Sequence, residues 1–262
     1  CGIRSQQATL KFRPHSPVEF GMRDEEIRLA ICIAVAAGEI STPEIGGVAQ
    51  KWHLLMIGQP WHQIRKADRV AHLGQVTLSP EAAAIAGGLV AGNTAVTGHL
   101  RAEAAVFEST PPDSAAFNIT AEEAFLRRFV PHVVLERLNA LHADYLADLR
   151  QVSTAFIHLP QIDGASLACT DQLQQVMTLL QSVANSWNGE VYQLAVDDKG
   201  TVGTLCFGLP HRSNDNNAGQ ALSAIEELQE SLREVGFTAH IGVATGRIFC
   251  GPVGNENRRE YT

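Results

Sequence analysis

Basic residues are scarce in this chain: 20 Lys and Arg stand against 28 Asp and Glu, giving a formal net charge of −8. A nucleic-acid or anionic-membrane surface normally carries a basic stripe, so neither nucleic acid nor membrane is expected as a partner. Long apolar runs are missing as well. The longest, Leu29 to Ala37, has nine residues, against the roughly 20 that a membrane helix requires. No charged-then-apolar leader opens the sequence, which leaves secretion without support. Five cysteines occur, Cys1, Cys32, Cys169, Cys206 and Cys250, odd in number and without CxxC spacing. They read as reduced thiols in a cytoplasmic protein. There is no GxxxxGK[ST] phosphate loop, no HExxH or HxxxH among the ten histidines, and no GxSxG elbow. Those absences remove P-loop, zincin and serine-hydrolase chemistry from this segment.

What is present is an apolar fraction of 45% over 262 residues, enough for one or two domains with real cores. The chain starts with Cys and stops at Glu260-Tyr261-Thr262, and it is expected to be a piece of a longer protein. Residues 27–37 form a β-branched run suited to a buried strand, and 60–73 read as a helix. A short strand is expected at 75–78. Ser79-Pro80-Glu81 then opens a helix, with Ser79 as cap and Pro80 at the first helical position. Residues 88–107 suit one or two strands, and Ser109 to Ser114 has linker composition. From Thr120 to about Arg150 a helical pattern follows, broken at Pro131, with Leu135, Leu138, Leu141, Leu146 and Leu149 along one face. That stripe fits a packed connector or a short signalling coiled coil.

The remainder predicts strand 151–159, helix 167–187, a hairpin of 190–196 and 201–207, helix 215–235 and strand 237–243. Ala218, Leu222, Ile225, Leu232 and Val235 are expected on the buried face of the second helix. The order βαββαβ is the ferredoxin-like unit, a fold that names no function by itself. Residues 33–48 also align with 241–256 at an offset of 208 (241 − 33), matching Ile33/Ile241, Val35/Val243, Ala36/Ala244, Gly38/Gly246, Ile40/Ile248 and Gly46/Gly254. Beyond these, the stretch Lys51-Trp52-His53-Leu54-Leu55 resembles Arg259-Glu260-Tyr261-Thr262 only with a one-residue slip. A separation of one domain length favours a tandem pair.

The segment His240 to Thr262 (HIGVATGRIFCGPVGNENRREYT) resembles the central motif of class III nucleotidyl cyclases, in particular the tandem-domain, bicarbonate-responsive soluble adenylyl cyclases. Asp197 to Pro210, Gly58 to Pro80 and Phe125 to Leu159 resemble, in order, the family's second-domain hairpin, the close of its first domain and its connector. The resemblance implies two incomplete α/β (α+β) ferredoxin-like cyclase domains: 1–108 as the C-terminal portion of the first, 109–150 as linker and connector helix, and 151–262 as the N-terminal portion of the second. It implies that the parent converts ATP to 3′,5′-cyclic AMP and pyrophosphate at the interface of the two domains, with Mg²⁺ or Mn²⁺ as cofactor, in intracellular signalling. The partners it implies are ATP, a second cyclase domain in cis and a bicarbonate effector.

Carried over residue by residue, the family's metal aspartates would precede Cys1 and its Asn/Arg pair would follow Thr262, so no catalytic residue is expected within the chain. The positions matching them are His62 and Lys66 in the first domain and His158 in the second, a pattern of degeneracy, and no metal is assigned at His158. Base recognition would fall to Gln193 and Thr262, with Ala195 and Asp197 as pocket neighbours. Gln193 departs from the Lys or Glu usual at its position. Its amide satisfies adenine in one orientation and guanine in the other, or it is simply a solvated strand residue. Asp197 is equally suited to a turn. Arg65 and Met56 match an anion (bicarbonate) site; Arg65 is otherwise a surface residue paired with Asp68 three residues on. The second functional class that fits is a non-catalytic pseudo-cyclase module that binds nucleotide or a partner.

Overall fold

A computed structural model describes residues 31–95, 97–105, 122–130, 134–135, 148–197, 200–210, 212–254 and 259–261. The expected linker at 109–114, most of the connector, and Thr262 lie outside the described residues.

Among the described residues five short strands come first: β1 (Ile33–Val35), β2 (Ile40–Ser41), β3 (Glu44–Gly46), β4 (Trp52–Leu54) and β5 (Ile57–Gly58). Helix α1 (Gln59–Val70) has Pro60 in its first turn, where a missing N–H costs nothing. Strand β6 (Val76–Leu78) follows, then α2 (Pro80–Ala86), and the hairpin of β7 (Val90–Thr94) and β8 (Leu100–Ala105). The expected cap forms: Ser79 Oγ accepts from the Ala82 N–H at 3.1 Å. Only Ile33–Val35 of the run predicted over 27–37 is strand among the described residues. The later elements are α3 (Glu123–Leu126), β9 (Asp148–His158), α4 (Thr170–Ser186), β10 (Gly189–Asp197), β11 (Gly200–Phe207), α5 (Asn217–Glu234), β12 (His240–Cys250), β13 (Pro252–Gly254) and β14 (Arg259–Tyr261).

Two compact units result. Residues 31–40 and 58–105 build the first, a sheet of order β1-β6-β8-β7 in which β1 and β6 run parallel. Val76, Leu78 and Ala82 are its buried centre, with Ile33, Leu100 and Ala102 packed around them.

Residues 41–57 associate with residues 122–261 to form the second unit. Its sheet has the order β10-β11-β9-β12 with every neighbouring pair antiparallel. Numbering its four strands by sequence gives 2-3-1-4, the strand order of a ferredoxin-like sheet, as expected from the βαββαβ pattern. One face carries the helices. Gly203 lies against Leu180 of α4, and its partner Ile157 is fully buried. Alternation puts Val152, Thr154, Phe156 and His158 on the opposite face. Leu173, Val176, Met177 and Leu180 from α4, with Ala221, Ala224, Leu228 and Leu232 from α5, fill the space beneath the sheet.

Two details differ from expectation. Strand β9 starts at Asp148, so Leu149 is in a strand and not on a connector helix; the ladder to β12 runs from His240↔His158 to Cys250↔Asp148 and holds those residues extended. On α5, Leu222 is 57% exposed, and the buried face is formed by Ala221, Ala224, Ile225, Leu228 and Leu232. A shift of one position in a 3.6-residue period rotates the stripe by about 100°.

The internal repeat has a structural counterpart. Hairpin β3–β4 pairs Glu44↔Leu54, Ile45↔His53 and Gly46↔Trp52, and β13–β14 pairs Pro252↔Tyr261, Val253↔Glu260 and Gly254↔Arg259. Gly46 and Gly254 hold the same place at the 208-residue offset. Trp52 matches Arg259 after the one-residue slip, because 47–51 separates the first pair of strands and only 255–258 separates the second. Strand β12 runs unbroken through Gly246, so that glycine is not a turn residue.

Candidate functional site

The open face of the second unit's sheet is partly roofed. A cavity of about 640 Å³ lies there, with Thr154, Phe156, Gln193, Thr204 and Cys206 on the sheet side and Trp52, Phe129, Ile248 and Phe249 around it. Register explains the floor. Gln193 pairs with Thr204, which pairs with Phe156, so one row of side chains crosses β10, β11 and β9. A bulge between Val191 and Gln193 inserts Tyr192 into the edge strand, and the row resumes with Gln193, Ala195 and Asp197 on one face.

The wall is held by two glutamine amides. Gln174 Oε1 accepts from the Gly46 N–H at 2.8 Å while its Nε2 donates to the Gly46 carbonyl at 2.8 Å. Gln181 Oε1 accepts from the Val48 N–H at 3.1 Å, and its Nε2 donates to the Lys51 carbonyl at 2.9 Å. They stand seven residues apart on α4, hence on one face of the helix. Gly46 sits at φ +111°, and a Cβ there would lie 2.7 Å from Gln181 Nε2, so only glycine suits the position. The Arg128 guanidinium stacks over Trp52 at 4.8 Å.

Charged side chains border the cavity beside the neutral ones: Lys51, Arg128, Glu190 and Arg212 line it. Burial pushes the Cys206 thiol up to about 11, with the Cys250 and Glu190 charges adding to the shift and the 3.9 Å contact with the Thr154 hydroxyl opposing it. Burial, and then the Lys51 ammonium, lower the pKa of His53. A cavity with aromatic walls and the exposed carboxamides of Gln193 and Asn185 suits a planar, hydrogen-bonding ring.

Along nearly all of its length the chain is similar to adenylate cyclase type 10, at 25% identity to the rabbit (Oryctolagus cuniculus) protein over 93% of this chain and to the Homo sapiens protein over 91%. Its sequence homologues are adenylate cyclases of type 10. This chain spans 17% of the length of those relatives. Among solved structures, a bacterial light-regulated adenylyl cyclase matches 53% of this chain and 44% of its own at 13% identity and a TM-score of 0.43. A guanylate cyclase domain from Catenaria anguillulae, solved with GTP, matches 43% of this chain and 65% of its own at 14% identity and a TM-score of 0.36. No protein-family model matches the chain.

The candidate residues separate in the structure. Gln193 lines the cavity, and Ala195 and Asp197 share its strand and face, Ala195 opposite Val202 and Asp197 opposite Gly200. Arg65 lies on α1 in the first unit, whereas Met56, 48% exposed, belongs to the second. His62 and Lys66 are on α1. His158 ends β9 and stands across from His240 on β12. Sequence reasoning missed Phe156 and Thr204, although strand alternation from His158 places Phe156 on the same face. Trp52, Arg128 and the two glutamines gave no signal at all, since nothing in their spacing announces a cavity wall. No helix among the described residues is long and apolar enough to cross a membrane.

Proposed function

We propose that the chain is part of an adenylate cyclase that converts ATP to 3′,5′-cyclic AMP and pyrophosphate in cytoplasmic signalling, and that its second unit supplies the wall that reads the base. The observation supporting this is Gln193, which lines the cavity in the same cross-strand row as Thr204 and Phe156. One amide donates and accepts at once, which is what the Watson–Crick edge of adenine asks for. Phe156, Trp52 and Phe249 would hold the ring and keep water away from it.

A divalent cation such as Mg²⁺ or Mn²⁺ takes oxygen ligands. The residues present do not fit it: the matching strand position holds His158, and among the described residues no group of three or more His, Cys, Asp or Glu side chains is placed to hold a metal. The chain by itself is accordingly expected to make no cyclic nucleotide, and production above a protein-free blank would contradict that. Bicarbonate as effector, with Arg65 as a guanidinium partner for a planar anion, belongs to the same proposal; a second cyclase domain in cis completes it.

The test is calorimetric titration of the purified chain with a non-cyclisable ATP analogue and its GTP counterpart. Gln193→Ala removes up to two hydrogen bonds of about 1 kcal/mol each, so adenine affinity should fall roughly 5- to 30-fold. Gln193→Glu should favour the GTP analogue. Equal affinity of all three proteins for both analogues would sink the base-reading role. The departure at Gln193 favours a second reading, a regulatory pseudo-cyclase; binding without turnover in the full-length parent would select it.

A further inference from the structure

Strand pairing brings together two imidazoles that lie 82 residues apart (240 − 158). His158 and His240 are direct partners in the antiparallel ladder of β9 and β12, with ring centroids 5.7 Å apart and planes inclined by 39°. His158 is partly buried and His240 is exposed, so the pair faces solvent at the end of the ladder. Val202 and Ala195 continue the same row across β11 and β10, which leaves the imidazoles flanked by apolar side chains along that row.

We infer that His158 and His240 form a two-imidazole clamp for a divalent cation of the zinc class, Zn²⁺, Ni²⁺ or Cu²⁺. Two rings on one tetrahedral zinc, with Zn–N bonds of about 2.1 Å and each nitrogen about 1.1 Å from its ring centre, stand about 5.2 Å apart between centroids. The observed separation is larger by half an ångström, within the reach of small χ rotations in each side chain. Imidazole nitrogen selects such borderline cations over Mg²⁺ and Ca²⁺, which prefer oxygen. The site is open, because no third His, Cys, Asp or Glu joins the pair among the described residues. Water would fill the remaining positions. The clamp fastens edge strand β12 to β9, and it stands on strand register alone, independent of the nucleotide reading.

Equilibrium dialysis of the 262-residue chain against Zn²⁺ tests it. The eight other histidines contribute the same background to every variant. His158→Gln and His240→Gln should each lose one and the same equivalent of Zn²⁺, and the double variant should lose no more than either single one. A thousandfold excess of Mg²⁺ should leave that equivalent bound. Without any variant, Zn²⁺ should protect both His158 and His240 from diethyl pyrocarbonate in the unaltered chain. Unchanged stoichiometry in either single variant, two equivalents lost in the double, displacement by Mg²⁺, or modification of both rings at an undiminished rate would each overturn the assignment.

Discussion

Replacing Gln181 by Leu keeps the bulk of a 4% exposed side chain and deletes only its amide. The Val48 N–H then loses its partner, and the Lys51 carbonyl loses one of two donors, keeping the Gly47 N–H at 2.7 Å. At about 1 kcal/mol per net bond, rising where a buried group is left unpaired, the cost is about 2–4 kcal/mol. The part-buried Gln174→Leu should cost about 2 kcal/mol by the same reasoning, since it removes the two Gly46 bonds. Both losses fall on the opening of the β3–β4 hairpin from α4, a local event, so amide exchange reads them better than global melting does. With about 1.4 kcal/mol per decade, the Val48 amide should exchange roughly 30- to 700-fold faster in Gln181→Leu. Amides of the β9–β11 ladder supply the control and should be unmoved. Gly46→Ala pushes a methyl toward Gln181 and should act in the same direction. Exchange at Val48 within threefold of the parent in Gln181→Leu would show that the hairpin is held by something other than these amides.

Three further outcomes are expected. His53 has a folded pKa below its ordinary 6.5, so the unfolded chain takes the proton first. The stability this contributes is complete above pH 6.5 and is lost as pH falls below it, by at most about 1.4 kcal/mol per unit. Urea titrations at pH 7.5 and 5.5 should show that loss reduced in His53→Gln. A thiol raised to about 11 is thiolate to about one part in a thousand at pH 8. Iodoacetamide should therefore reach the partly exposed Cys32 well before Cys206, as peptide mapping will show. Ser79→Ala removes the cap of α2 and the 2.9 Å bond to Gln63 Oε1, which should destabilise the first unit by about 1–2 kcal/mol in thermal melts.

Much of the second unit was legible because its elements are long and periodic. Alternation in QVSTAFIH and the helical period of 170–186 are strong signals, and together they give the sheet order once the fold is named. The repeat was legible too, down to the slipped residue, because glycine marks the end of each hairpin ladder. The cavity was not. Its floor depends on a bulge that inserts Tyr192, and a bulge leaves no trace in composition. Its wall depends on bonds spanning 128 to 133 residues of sequence, made by glutamines that look like any solvated helix residue. His240 was invisible as a partner for His158 for the same reason: cross-strand proximity follows register, not sequence distance.

The hairpin at 41–57 belongs by its contacts to residues 122–261 but is separated from them by the segment 58–118. No single cut in the chain therefore releases the ferredoxin-like unit whole. An expression boundary anywhere after residue 57 would discard Gly46, Val48 and Lys51, the backbone partners of Gln174 and Gln181. The shortened protein would present on α4 two carboxamides that had been paired, along with the apolar wall behind Trp52. Such a piece is expected to be less soluble than the longer chain, and it would regain its partner most simply if 41–57 were supplied again as a linked peptide.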